Sequence, residues 1–187
     1  RVSNGSGQAG TILVGETSTA GEQPFLEVQD GTVECNRLLI GSASGGVGQM
    51  FLTGGIVNAT EGVVVGDDPA GVGRVFMNGG VFNAEEFIIG LLGNGDVSLI
   101  SGTIDVDALR VGGSPSYEGR MILSGGTLIA DLIDVQRDGT LSFEFVYSDG
   151  LIQRQQLLIG EGAGFSFGDG SSLDARIAEV INDGEFR

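Results

Sequence analysis

Residues 50–66 decide the fold of this chain, and they read MFLTGGIVNATEGVVVG. The segment contains an apolar run, a Gly-Gly pair, an alternating run through Asn58 and Ala59, and a β-branched run that ends at Gly66. The same pattern returns as VFMNGGVFNAEEFIIG (75–90), VSLISGTIDVDALRVG (97–112) and MILSGGTLIADLIDV (121–135), and a weaker copy, LEVQDGTVECNRLLIG (26–41), precedes it. The chain is therefore a repeat protein, and its architecture follows from the repeat.

Two glycine positions keep the same period along the chain. The second residue of the Gly-Gly pair recurs every 22 to 25 residues, at Gly31, Gly55, Gly80, Gly102, Gly126 and Gly150. The glycine that ends the third run stays in phase with it, at Gly15, Gly41, Gly66, Gly90, Gly112 and Gly160. Each unit of ~24 residues carries three short apolar runs, whereas a propeller blade needs about 40 residues. The sequence therefore predicts an all-β, right-handed parallel β-helix (β-solenoid) of about seven coils with three short strands per coil.

Alternation of apolar and polar residues predicts which side chains face the core. The first run points inward at Leu52, Met77, Leu99 and Leu123, and the second at Val57, Phe82, Ile104 and Leu128. The third run points inward at Ile40, Val65, Ile89, Val111, Val135 and Ile159. Cys35, the single cysteine, falls in an inward row with Ala59, Ala84, Val106 and Ala130. That row predicts a buried free thiol that acts as a small apolar side chain.

The length suits one domain, 1–187, with regular coils over about 11–135. From Gln136 the period blurs, and 136–187 are expected to form less regular coils or a cap. The helical spacing of Leu173, Ile177, Val180 and Ile181 predicts a cap helix, while a further strand through Leu173, Ala175 and Ile177 fits as well. The opening at Arg1, within Gly/Ser/Asn-rich sequence, is interpreted as the start of a mature or trimmed segment.

Composition argues against several classes of partner. The chain has 25 acidic residues against 9 basic ones, all of them arginine, and its net charge is −16. Because phosphate binding requires basic clusters, neither nucleic acid nor an anionic membrane surface is expected as a partner. No apolar run approaches the ~20 residues of a membrane span, so no membrane insertion is predicted.

Units of the form L-x-[LVM]-[ST]-G-G-[TIV]-[LVF]-N-A…[LIV]-x-[IV]-G resemble the bacterial autotransporter-associated, PEP-CTERM-type surface β-solenoid repeats. The resemblance is carried by FLTGGIVNATEGVVVG, FMNGGVFNAEEFIIG and ILSGGTLIADLIDV and covers about 26–135. The run GTLSFEF, which begins at Gly139, resembles the less regular segment that often follows such repeats. The resemblance implies a β-solenoid with an extracellular or cell-surface location.

Large apolar residues at outward positions are the main candidate for an interaction surface. They are Leu13, Leu39, Val64, Ile88 and Leu158 on the third strands, and Phe51, Phe76 and Ile122 on the first strands. Stacked at coil spacing, they predict apolar stripes for packing against a second copy, unless the chain's own loops cover them. The N-terminal segment RVSNGSGQAG has no Pro, Lys or amphipathic helix to block strand pairing, which predicts end-to-end stacking unless caps were lost by trimming.

Several polar positions are candidate sites of other kinds. Asn58 and Asn83 occupy equivalent outward positions, where they form either an amide ladder or ordinary polar surface. Asn4 and Asn58 fit the N-glycosylation sequon. No cofactor is predicted, although the acidic turns at Asp67, Asp68, Asp96 and Asp169 are candidates for calcium.

The sequence therefore favours an extracellular structural protein that self-associates into a fibre, a biofilm matrix or a surface layer. The alternative is a passive adhesin or glycan-binding stalk, which an exposed aromatic groove would favour, although the chain has no Trp. A polysaccharide-degrading enzyme would use paired acids, for which Asp105 and Asp107 beside Arg110 are the candidates. There is no His or Lys to act as a base, so no enzyme activity is predicted.

Overall fold

The computed structural model describes residues 6–15, 23–136, 139–143, 147–148, 151–152, 155–167, 172–175, 178–182 and 185–186, with side chains over 9–15, 23–136 and 139–141. In this part of the chain every regular element is a β-strand. The strands are β1 (Ser6–Val14), β2 (Phe25–Val28), β3 (Thr32–Ile40), β4 (Val47–Leu52), β5 (Ile56–Val65), β6 (Val72–Ile89), β7 (Asn94–Val111), β8 (Gly119–Leu123), β9 (Thr127–Val135), β10 (Gly139–Phe143), β11 (Tyr147–Ser148), β12 (Leu151–Ile152), β13 (Gln155–Phe167), β14 (Ser172–Ala175), β15 (Ala178–Asn182) and β16 (Glu185–Phe186).

The strands stack in parallel, each one pairing with the equivalent strand one repeat away. The main sheet runs in the order β1-β3-β5-β6-β7-β8-β10-β14, and only the short pair β11–β12 is antiparallel among the described strands. The register follows the repeat, since Val57 pairs with Phe82 and Phe82 with Ile104. The prediction of an all-β, parallel β-solenoid is confirmed, with about 5 turns.

The strands are longer than the short runs of the sequence suggest. β6 and β7 each continue for 18 residues, and β5 joins the second and third runs of its coil into one element. The hydrogen-bonded ladder therefore passes through corners at which separate strands were expected to end.

Six inward rows form one continuous core. The core-facing residues named by the alternation, from Leu52 to Val135, are buried wherever the structure describes their side chains. Ala84, in the Cys35 row, is half-buried. Phe82 and Phe87 stack inside the core with ring centroids 5.3 Å apart. The alternation had not named two of the rows, which consist of Met50, Val75, Val97 and Met121, and of Leu38, Val63, Phe87, Leu109 and Ile133.

The glycines at the corners serve two different purposes. The two periodic glycine series have positive φ throughout the regular coils, for example +81° at Gly66 and +77° at Gly80. A third series is buried where each coil meets the preceding one, and it was not recognised in the sequence. Its members are Gly48, Gly73, Gly95, Gly119 and Gly139. A Cβ atom at any of them would be closer than 3.0 Å to a backbone carbonyl oxygen of an earlier coil.

Two points about the C-terminal part differ from the helical and periodic expectations. The cap helix is absent from its described residues and the alternative strand is present, because Leu173 and Ala175 lie in β14, which pairs with β10, and Val180 lies in β15, which pairs with β13. Ile177 lies outside the described residues. Leu158 does not continue the third-strand stripe, since it pairs with Ile129. The register of β13 shifts between Ile159 and Gly164, so Ser166 takes the place beside Asp134.

Candidate functional site

The apolar stripe predicted on the third strands is interrupted and is shorter than expected. Leu13, Leu39, Val64 and Ile88 are paired in register on successive coils, and Arg110 and Asp134 follow them. Leu13 is 42% exposed, and Leu39 and Ile88 are half-buried. The expectation that Val64 is accessible is wrong, because only 3% of it is exposed. Val64 is paired with Leu39 on one side and Ile88 on the other, so its burial interrupts the stripe.

The outward surface of β2, β4, β8 and the first halves of β6 and β7 carries stacked aromatic rings, and we call it the phenylalanine face. The rings of Phe51 and Phe76 are nearly parallel, at 13°, with centroids 5.3 Å apart. Phe25, which is 59% exposed, meets Phe51 edge to face at 6.1 Å. Because Phe51 and Phe76 turn their faces toward each other, they present ring edges to solvent. This is a poor platform for a sugar ring and a suitable surface for apolar packing.

The charges on the phenylalanine face follow a regular order along the solenoid. One outward row reads Gln49, Arg74, Asp96 and Arg120 on successive coils, and Glu27 begins the neighbouring row of Phe51, Phe76, Ser98 and Ile122. Arg74 and Arg120 thus offset Asp96 and Glu27, and Glu118 at the border of the row leaves these five groups with a net charge of −1.

The charged side chains in this row do not form ion pairs with one another. Among the described residues, no ion pair joins Asp96 to Arg74 or Arg120, whereas Arg110 forms a salt bridge with Glu86. Oδ1 of Asp96 is buried without a hydrogen-bond partner. A depression of about 270 Å³ lies here, and it is lined by Val72, Arg74, Asn94, Gly95, Asp96, Glu118 and Arg120.

A polar groove runs along the bend between the second and third runs of the coils. It encloses about 430 Å³ and is lined by Asn58, Ala59, Thr60, Asn83, Ala84, Glu85, Asp105 and Asp107. Asn83 Nδ2 donates a hydrogen bond of 2.8 Å to Oδ1 of Asn58, so the two amides form one step of a ladder. A second depression, of about 340 Å³, continues the groove past Glu34 and Asn36.

The groove does not bring together the trio considered for catalysis. Asp105 and Asp107 are both exposed in it, but the Arg110 guanidinium is held by the Glu86 carboxylate at 3.1 Å. Arg110 also leaves its Nε buried without a partner. The arrangement therefore offers hydrogen-bonding groups to a ligand without the arginine that was expected beside the two acids.

The candidate calcium ligands do not converge. No group of three or more His, Cys, Asp or Glu side chains that could hold a metal occurs among the residues with described placement. Burial raises the pKa of Asp67, with Asp68 acting in the same direction and Arg37 opposing both. Asp96 lies on the phenylalanine face, and Asp169 and the sequon residue Asn4 fall outside the described residues. The other sequon residue, Asn58, is half-buried in the groove.

Comparison with known proteins identifies no relative of this chain. No family model, no curated protein and no solved structure matches the chain. Within the described ranges, no helix is long and apolar enough to cross a membrane.

Proposed function

We propose that this protein is an extracellular structural β-solenoid that self-associates by stacking coil on coil and by lateral apolar contact. In this proposal the whole chain forms about seven right-handed coils with three strand-like faces, as in the bacterial surface repeats that its sequence resembles. Its partner is a second copy of itself, at the surface of the cell or outside it, with neither nucleic acid nor membrane insertion involved.

The observation that carries the proposal is the outer edge of β1. This nine-residue strand, SGQAGTILV, contains no charged residue and no proline, and its only partner among the described strands is β3. Natural edge strands are normally protected by such residues, because a free edge adds further strands. An incoming coil would pair with this edge by the same parallel ladder that joins the coils inside the chain.

The core is also partly open at this end. Ala9, Ile12 and Leu26 pack on the core but are only partly buried, although Val28 beside them is fully buried. The equivalents of these three residues one coil further on are all buried, and they are Cys35, Leu38 and Met50. Covering the partly exposed apolar surface stabilises stacking by roughly 25 cal/mol per Å². Because the two ends of a solenoid differ, the contact is heterologous and continues into an open filament.

The test is electron microscopy of the purified full chain with a variant at the open end. Ile12→Lys places a charge where an incoming coil would bury it, so filaments seen for the unmodified chain should shorten or disappear. Ile56→Lys is the matched control, because Ile56 is 38% exposed on an outward surface of an internal coil. Isolated short rods of the unmodified chain at micromolar concentration would refute the proposal.

A glycan-binding stalk or adhesin is the second candidate, and the groove is what favours it. Its amide and carboxylate side chains are suited to sugar hydroxyl groups, although no exposed aromatic ring lines it. Binding on a glycan array that is lost in Asn83→Ala, together with unassembled rods, would favour this function. A polysaccharide-degrading enzyme has less support, because Arg110 is engaged by Glu86.

A further inference from the structure

The phenylalanine face combines apolar rings with charges of both signs. Arg74, Asp96 and Arg120 alternate in sign along one row, beside the stacked rings of Phe51 and Phe76. In a chain of net charge −16, this mixture opposes close approach of a second copy less than a purely acidic surface would. Arg74 and Asp96 form no ion pair within the part of the chain that the structure describes, so a second copy could supply one to the part of the Asp96 carboxylate that reaches solvent.

The order of residues in the two rows is self-complementary when one copy is reversed. Consider two copies whose phenylalanine faces lie against each other, related by a two-fold axis in the plane of contact. The axis runs parallel to the strands and passes midway between the strand of Arg74 and the strand of Asp96. Rotation about this axis keeps each row opposite itself and reverses the order of the coils. Arg74 then faces the partner's Asp96, and Phe51 faces the partner's Ile122. Each contact occurs twice, as in any isologous interface.

We propose that two copies of this chain pair antiparallel through the phenylalanine face, with reciprocal Arg74–Asp96 contacts at the centre. This inference rests on the proposed function, because it specifies the lateral contact of the self-associating protein. Sheets that pack face to face align within about 30°, which keeps the facing rows in register near the axis. Gln49 faces the partner's Arg120 in this arrangement, so no like charges meet in the central row.

The size of the face sets the strength of the contact. Five coils at about 4.8 Å and about six residues of strand give a surface of roughly 20 by 24 Å, on the order of 500 Å² per copy. Two such surfaces bury on the order of 1,000 Å², which is near the lower limit for a specific interface. A single pair is therefore weak, and filaments that repeat the contact associate more strongly through multivalency.

Charge swaps test the pairing in solution. Sedimentation velocity is run on the full chain carrying Ile12→Lys, which isolates lateral pairing from end-to-end growth. Arg74→Asp and Asp96→Arg should each weaken dimerisation by roughly tenfold or more, because each places like charges opposite one another. The double variant Arg74→Asp/Asp96→Arg restores opposite charges, and so does an equimolar mixture of the two single variants. Arg37→Asp and Asp107→Arg, with the same changes in net charge on other surfaces, should leave dimerisation unchanged.

A cross-linking experiment keeps the test valid if Asp96→Arg fails to fold. In a Cys35→Ala background, a copy with Phe51→Cys mixed with a copy with Ile122→Cys should be joined by a short bismaleimide. Two copies with Phe51→Cys should not be joined, because they would be three coils, about 14 Å, apart along the axis.

The outcomes for lateral and end-to-end association are separable. The antiparallel pairing would be overturned by any of three results. Dimerisation could be unchanged by the single charge swaps, it could fail to return in a folded double variant, or the chain could stay monomeric at about 1 mM. Absence of filaments from the unmodified chain, with a charge-dependent dimer retained, would refute the end-to-end proposal alone.

Discussion

Replacing Gly95 by alanine is the most direct test of how the coils are closed. Gly95 begins a coil, and a Cβ atom there would be closer than 3.0 Å to the carbonyl oxygen of Val65, the amide nitrogen of Gly90 and Cγ2 of Ile89. The two backbone atoms are joined by the hydrogen bond from Gly90 N to Val65 O, at 2.8 Å. Neither can move away from the new methyl group without straining that bond.

The magnitude follows from these contacts. Overpacking in a well-packed interior costs about 1–3 kcal/mol, and weakening one backbone hydrogen bond adds about 1 kcal/mol. We therefore expect Gly95→Ala to lower the free energy of unfolding by ~3 kcal/mol. For a chain of this size, each kcal/mol shifts the thermal midpoint by about 2–4 °C, so the midpoint should fall by roughly 6–12 °C.

Thermal unfolding followed by far-ultraviolet circular dichroism measures this shift, and Gly10→Ala is the control. Gly10 also lies in a strand, but a Cβ atom there would have nothing within 4 Å. Its replacement should be neutral or stabilise by about 0.4–1 kcal/mol, because alanine restricts the unfolded chain. A Gly95→Ala midpoint within about 2 °C of the unmodified protein would show that the glycine series does not close the coils.

Three further changes test the core and its ionisable groups. Phe87→Ala should lower the free energy of unfolding by about 3–5 kcal/mol in urea titration, since it empties the core stack with Phe82, whereas Phe25→Ala on the surface should cost under about 1 kcal/mol. Burial raises the pKa of the Cys35 thiol above its ordinary value of 9.0; its contribution to stability should therefore be present below pH 9 and lost as pH rises through the raised pKa, and a thiol reagent should label it only in denaturant. Because burial raises the pKa of Asp67, its ionisation opposes folding at neutral pH. Asp67→Asn should raise the thermal midpoint at pH 7, and the difference should vanish near pH 3, where the carboxyl is protonated in both states; an equal difference at both pH values would contradict this account.

The features that repeat could be predicted from the sequence. Phe82 and Ile89 were placed in the core because alternation and period agree on them, and both are fully buried. The positive φ of Gly66 and Gly80 follows from the glycine period for the same reason. These properties depend on how a residue stacks on its equivalents one coil away. In a repeat protein, the equivalent residues can be identified from the period of the sequence.

The features that the sequence did not predict depend on contacts or shifts that a repeat pattern does not record. Position 95 must be glycine because the carbonyl oxygen of Val65, thirty positions earlier, leaves no room for a Cβ atom. No residue within the repeat unit of Gly95 indicates this. Alternation places Val64 on the outward side but does not predict that the side chain is buried there. Leu158 was assigned to the wrong row because Gly160 was interpreted as the glycine that ends the third run, whereas Ile159 pairs with Ala130 and the slip in β13 follows before Gly164.

The same reasoning indicates where function is most readily sought on this molecule. The fold requires the inward rows and the corner glycines, but it places no demand on the charges of the outward rows. In a chain of net charge −16, solubility alone would favour acids at every outward position, including the β1 edge. The chain instead leaves β1 without any charge and places Arg74 and Arg120 on either side of Asp96 on the phenylalanine face. Neither choice is needed to build a coil, and both lower the barrier to contact with another copy, so both surfaces are the places at which substitution should change assembly while the fold persists.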